Sequence, residues 1–211
     1  MRVFFAIILL WLASSAALAQ PAISSRTCFG DPPTCSPVTA TNPLPVTGQS
    51  NIASYGAAVV GLANAAAGDI YCITGSATKT VRIKGIRVSA VATAAIVGDV
   101  SVVLRSAANT GGTSSAPTVV KHDQNNPAAT ATVAAYTVSP TPGAAIGTLR
   151  SRKMSVSTSG NNATSSEALF QFSVYWDQPV VLRGTTQLAC VVVSAFGAGA
   201  SFDVDHEHTE E

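Results

Sequence analysis

TVRIKGIRVSA, residues 80–90, is the stretch whose pattern decides the fold. Val81 and Ile83 share one parity, Ile86 and Val88 the other, and the switch falls at Lys84-Gly85. Side chains alternate faces along a strand, so an extra residue beside a glycine marks a β-bulge. With that bulge, Arg82, Lys84 and Arg87 all face outward while the aliphatic side chains share one buried face.

Strand patterns recur farther along the chain. In ALFQFSVYWD (168–177), Phe170, Phe172, Val174 and Trp176 fall on one face. QLACVVV (187–193) is apolar on both faces, as a central strand covered on each side would be. Strands are expected near 69–74, 79–91, 98–106, 131–139, 146–158, 167–177, 179–183, 186–194 and 200–208, punctuated by Gly, Pro and Asn clusters. TGGTSSAPTVVKHDQNNPAAT (110–130) is an expected exposed loop with a short strand at 118–121. With no heptad, repeat or long helix, the expected fold is all-β. It is an antiparallel two-sheet β-sandwich, jelly-roll-like, over residues 67–211.

Residues 20–66 read as an extended arm, since Pro21, Pro32, Pro33, Pro37, Pro43 and Pro45 discourage helix and remove ladder donors. At its end, YGAAVVGLANAAAG (55–68) fits loop, weak strand or short helix, and the choice stays open. Residues 1–19, MRVFFAIILLWLASSAALA, have one basic residue, a short apolar core and an Ala-Leu-Ala end. That is the pattern of a secretory signal peptide; the alternative is a retained hydrophobic leader.

Four cysteines suit an exported chain with disulfides. Cys28 and Cys35 bracket FGDPPT, whose Asp-Pro-Pro favours a turn, and this leaves Cys72 to pair with Cys190. Three connectivities are open in principle, and the alternative role for Cys72 and Cys190 is that of small buried hydrophobes.

The 211 residues carry 12 basic and 11 acidic side chains, only 11% of the chain is charged, and aromatics are 6%. That balance argues against an electrostatic grip on nucleic acid and against a highly charged disordered tail. No phosphate-cradling glycine loop and no G-x-S-x-G elbow is present. His122, in the polar loop, is expected to be solvated rather than catalytic. In SFDVDHEHTEE (201–211), Phe202, Val204, His206 and His208 share one face, and Asp203, Asp205 and Glu207 share the other. Two histidines at this spacing offer two metal positions, but further ligands are missing and no metal or cofactor is expected. The acidic row is expected to face solvent or to pair with outward Arg82, Lys84 and Arg87, within the chain or across an interface. Arg150, Arg152 and Lys153 are expected at a solvated strand end.

GSATKTVRIKGIRVSA (75–90), residues 105–154 and SFDVDHEHTEE (201–211), with NPLPVT (42–47), resemble a group of tailed-bacteriophage and prophage virion-associated β-sandwich proteins. The likeness spans most of residues 42–211. It implies a non-enzymatic structural role, as head decoration or as a tail or fibre attachment module, and carries over no catalytic residue. The expected behaviour is self-association, with a trimer favoured, among other virion structural proteins, without nucleic acid and without membrane after processing. The expected location is the virion, or the periplasm or exterior if the leader is cleaved. The alternative is an exported carbohydrate-binding sandwich that meets a surface glycan through loop 110–130 and Tyr136, Tyr175 or Trp176. A secreted hydrolase built on His122 or on the acidic tail 201–211 is the third possibility, and it lacks a nucleophile motif.

Overall fold

The computed structural model describes residues 28–29, 36–37, 52–64, 66–156, 166–172 and 178–211. Two compact units divide the chain, Met1–Thr47 and Gly48–Glu211. In the first, β1 (Cys28–Phe29) and β2 (Ser36–Pro37) pair antiparallel, with Cys28 opposite Pro37. Cys35, and with it the expected Cys28–Cys35 bridge, lies outside the described residues, as do the leader and most of the arm.

The second unit is a two-sheet antiparallel sandwich built from β3 (Ala53–Ala63), β4 (Gly68–Thr74), β5 (Thr80–Val91), β6 (Ile96–Arg105), β7 (Thr113–Ser115), β8 (Val120–Lys121), β9 (Thr132–Val138), β10 (Ala145–Val156), β11 (Ser166–Gln171), β12 (Val180–Arg183), β13 (Leu188–Val193) and β14 (Ser201–Glu210). One sheet has the order β10-β6-β13-β4-β9-β7 and the other β11-β5-β14-β3-β8, with β12 also pairing β5. From β3 to β6 the chain alternates between sheets, which brings apolar faces from both into one core.

The strands expected from the sequence are present within a few residues, except that the expected strand 167–177 is seen as Ser166–Gln171 and its residues 173–177 lie outside the described residues. β5 has the bulge at the expected place: Glu207 pairs with Gly85 and His208 with Ile83, so Lys84 is the extra residue. Val81, Ile83, Ile86 and Val88 are buried, and Arg87 is exposed. β13 lies between β6 and β4, and five of its six residues are buried, as its apolar run requires. Phe170 is buried and Phe172 packs against the core, whereas Val174 and Trp176 lie outside the described residues.

The sequence boundary at residue 67 needs correction. Residues 53–63, taken as part of the arm, form β3, which pairs with β14 from Ala53 opposite Glu210 to Ala63 opposite Ser201. Its alternation is broken by a register shift between Val59 and Leu62, where Gly61 takes φ +70°. An Ala- and Gly-rich strand with an interrupted period gives little propensity signal and no clean alternation.

The core is packed closely enough that some positions tolerate no side chain. A Cβ on Gly98 of β6 would overlap the Phe196 ring, which itself packs edge-on to Phe202 with centroids 5.2 Å apart. Gly98→Ala is expected to cost about 1–3 kcal/mol, seen as a lower denaturant midpoint at unchanged slope. A neutral effect would mean that Phe196 is not held in the core.

Candidate functional site

The buried charged and histidine side chains form two clusters, one on each face of the β4/β13 sheet. Between the sheets, the inward side chains of β14 continue past Phe202 and Val204 to His206, His208 and Glu210, all buried. The Tyr71 hydroxyl is 2.7 Å from His206 Nδ1, and His206 Nε2 is 3.0 Å from His208 Nδ1. The two imidazoles stack at 5.1 Å, and the Tyr55 ring stacks on His208 at 5.4 Å. His208 Nε2 stands 3.5 Å from Glu210 Oε1, too far for a good hydrogen bond, and no other partner among the described residues reaches it.

The carboxylate orders the protons in this row. Ionised Glu210 accepts only, so His208 presents Nε2–H to it and keeps Nδ1 as acceptor. His206 then donates from Nε2, and its Nδ1 receives the Tyr71 hydroxyl. Burial makes a charged imidazole costly, which lowers His206 to about 3, with neighbouring His208 acting in the same direction. Burial lowers His208 as well, against the opposing pull of Glu210. For Glu210, burial acts upward, but donors from Ala131 and Thr130 outweigh it and leave the carboxyl below its ordinary value. Burial raises Tyr55 and Tyr71, so both hydroxyls keep their protons at neutral pH.

Glu210 and Tyr55 tie this row to the loop before β9. Glu210 accepts from Thr130 N at 2.8 Å, Thr130 Oγ1 at 2.8 Å and Ala131 N at 2.8 Å, and Lys79 Nζ lies at 3.5 Å. The Tyr55 hydroxyl donates to the Pro127 carbonyl at 3.1 Å. Along the loop runs an open apolar groove of about 480 Å³, lined by residues including Pro117, Val119, Val120, Ala129 and Val133. Among the described residues its lining contains no aromatic ring.

The second cluster lies on the outer face of the same sheet. Cys72 of β4 and Cys190 of β13 pair directly across the ladder and form a buried disulfide with Cα atoms 4.1 Å apart. Beside it, Arg105 at the end of β6 grips Asp69 with two donors, Nε at 2.8 Å and Nη2 at 2.5 Å. Asn109 Nδ2 donates to Asp69 at 2.7 Å and lies 3.3 Å from Cys72 Sγ, while its Oδ1 accepts from Gly143 N. Arg105 Nη1 also donates to the Gly143 carbonyl at 3.0 Å. Loop segments around Asn109 and Gly143 are thereby held by the ion pair beside the disulfide. Asp69, Cys72 and Cys190 place ligand-type atoms within 4.8 Å of one another. The sulfurs are bonded together and Asp69 is bound by Arg105, so this cluster is a covalent and ionic clasp.

The outward charged residues divide as follows. Arg87 Nε pairs with Asp205 at 2.8 Å, the expected meeting of the basic and acidic strands within one chain. Arg82 reaches Glu211 at 2.7 Å instead of the acidic row. Asp203 accepts from Gly61 N at 2.8 Å, a donor set free by the β3 bulge. Glu207 lies 3.4 Å from His122 Nδ1, and both are about half exposed. Lys84 lines a shallow outer depression with Arg87, Asp205 and Glu207. Of the residues considered for glycan contact, Tyr136 is buried beside Cys72, Leu188 and Cys190, and Tyr175 and Trp176 lie outside the described residues.

Sequence reasoning missed Tyr55, Tyr71, Asp69, Arg105, Asn109 and Glu210. For Glu210 a signal existed: continuing the parity of Phe202, Val204, His206 and His208 puts it on the buried face.

Together these features define the class: an all-β, two-sheet antiparallel sandwich bridged by a buried disulfide. Such a bridge fits an oxidising, exported environment, and no helix among the described residues is long and apolar enough to cross a membrane. No protein-family model, curated protein or solved structure matches the chain.

Proposed function

We propose that the protein is a non-enzymatic structural module of a bacteriophage-like particle, a capsid-decoration or tail/fibre attachment protein that works by self-association. β10 carries this reading. It is the edge of its sheet, and every residue from Ala145 to Lys153 is exposed. Its register against β6 shifts twice, between Ala145 and Gly147 and between Thr148 and Arg150. The residues at those shifts are Ile146 and Leu149, both apolar, 63% and 36% exposed.

Bulges re-aim side chains, and here they turn two aliphatic groups outward on a strand left exposed among the described residues. The same bulges, with Arg150, Arg152 and Lys153, blunt the edge against open-ended strand addition. That combination suits a closed assembly joined by side-chain contact rather than a fibre of stacked edges. The resemblance of residues 42–211 to virion-associated sandwiches supports the same role.

The test is the absolute mass of the purified protein in solution, with Ile146→Asp/Leu149→Asp beside it. The expected result is a trimer or larger species, with interfaces above roughly 1,000 Å². The double variant is expected to be a folded monomer. A wild-type monomer at high concentration would overturn self-association.

A further inference from the structure

We propose that the stacked His206–His208 pair is an acid-operated latch, holding residues 127–131 against the sandwich at neutral pH and releasing them on acidification. The anchors of that segment converge on His208. The Tyr55 ring covers one face of His208 while its hydroxyl holds the Pro127 carbonyl. Glu210 faces His208 Nε2 from 3.5 Å while its carboxylate holds Thr130 and Ala131. A charge arriving on His208 therefore acts at once on both groups that keep the segment in place.

The neutral row has one proton order, running from Tyr71 through His206 and His208 to Glu210. An imidazolium at His208 reverses it. His208 Nδ1–H then donates to His206 Nε2, His206 Nδ1–H donates to the Tyr71 oxygen, and Tyr71 turns its proton to the Ala57 carbonyl, 3.3 Å away. The row accepts this one proton without orphaning a member. The cost falls on Glu210, which is drawn toward the new charge and away from donors now 2.8 Å from it. A second proton on His206 would set two like charges about one hydrogen bond apart in a site closed to water, and would separate the stack.

The other ionisable groups around the pair are Tyr55 on β3, Tyr71 on β4, Lys79 beside Glu210, Asp205 next to His206 in β14, and His122 with Glu207 above. The inward face of β5 beside β14 contributes apolar side chains, Val81, Ile83, Ile86, Val88 and Ala90. Both histidines are depressed in the fold, so the neutral latch is at full strength above their unfolded value of 6.5. It weakens as pH falls from there toward about 3, the folded value of His206. The groove along residues 116–133 has walls drawn from this segment, so its shape follows the latch.

Amide hydrogen exchange of Thr130 and Ala131, corrected for the intrinsic pH dependence, tests this between about pH 7.5 and about pH 4.5. Glu210 is held below its ordinary value, and the double histidine variant separates its own titration from that of the pair. The expected result is a loss of protection of about tenfold or more at these two amides, with Cys72, Cys190 and Val191 still protected. In His206→Phe/His208→Phe, protection should stay constant across the interval. The proposal is overturned if the double variant loses protection as the wild type does, or if loop and core amides exchange together. Glu210→Gln gives a second test that does not depend on the double variant folding. It should leave the segment unprotected already at neutral pH, and full protection there would equally overturn the latch.

Discussion

Asp69→Ala is expected to destabilise the sandwich by about 3–5 kcal/mol, read as a large drop in the urea midpoint at unchanged slope. Asp69 is fully buried and Arg105 is 6% exposed, so the guanidinium cannot be rehydrated without opening the structure around it. With the carboxylate gone, Arg105 keeps only the Gly143 carbonyl, and the Asn109 amide loses its acceptor. The penalty is that of a stranded charge, not the net worth of an ion pair. Asp69→Ala/Arg105→Met, which removes both charges and keeps an apolar filler, should therefore recover most of the loss. If the single variant cost less than about 1 kcal/mol, the pair would have to be solvated, contrary to its position under the loops.

Reduction of Cys72–Cys190, or Cys72→Ala/Cys190→Ala, is expected to cost about 3–5 kcal/mol in a guanidinium titration with and without reductant. The bridge spans 118 residues of sequence, so breaking it returns much conformational freedom to the unfolded chain. In the folded state the ladder already places the two residues opposite each other, so little native rearrangement should follow. Both sulfurs are shielded, and reductant should act slowly on the native protein and quickly after partial denaturation. The two effects are coupled through Asn109, which touches Asp69 and Cys72 alike. Asp69→Ala should accordingly speed reduction under native conditions, whereas equal reduction rates would show that the loops do not guard the bridge.

The sandwich was legible where strand chemistry was local. The parity switch at Lys84-Gly85, the apolar run of β13 and the two faces of β14 each follow from a handful of adjacent residues. β3 was not legible, because alanine and glycine carry little strand preference and the bulge at Gly61 breaks the alternation. The Cys72–Cys190 pairing was accessible from cysteine count and context. The polar clusters were less so, since they depend on which strands lie side by side. Asp69 and Arg105 are ordinary charged residues 36 positions apart, and nothing near either announces the other. The inward face of the two histidines was readable, but their engagement with Tyr71 depends on which strand of the opposite sheet faces them. The outward apolar pair on β10 arises from bulges that the sequence does not mark with glycine at Leu149.

The sheet order has a consequence for assembly in time. β13 lies between β4 and β6, and β14 lies between β3 and β5, so each sheet receives a later strand between two earlier ones. The earlier strands cannot close on one another without blocking the slot, and the segment Leu188–Glu210 enters both sheets as one wedge. Folding must wait for contacts that are distant in sequence, which places it among slow β topologies, on the order of milliseconds to seconds or longer. While the slots stand open, a wedge from a neighbouring copy presents the same edges as the chain's own. Crowded refolding therefore has a direct route to strand-exchanged dimers, and dilution favours insertion of each wedge into its own chain.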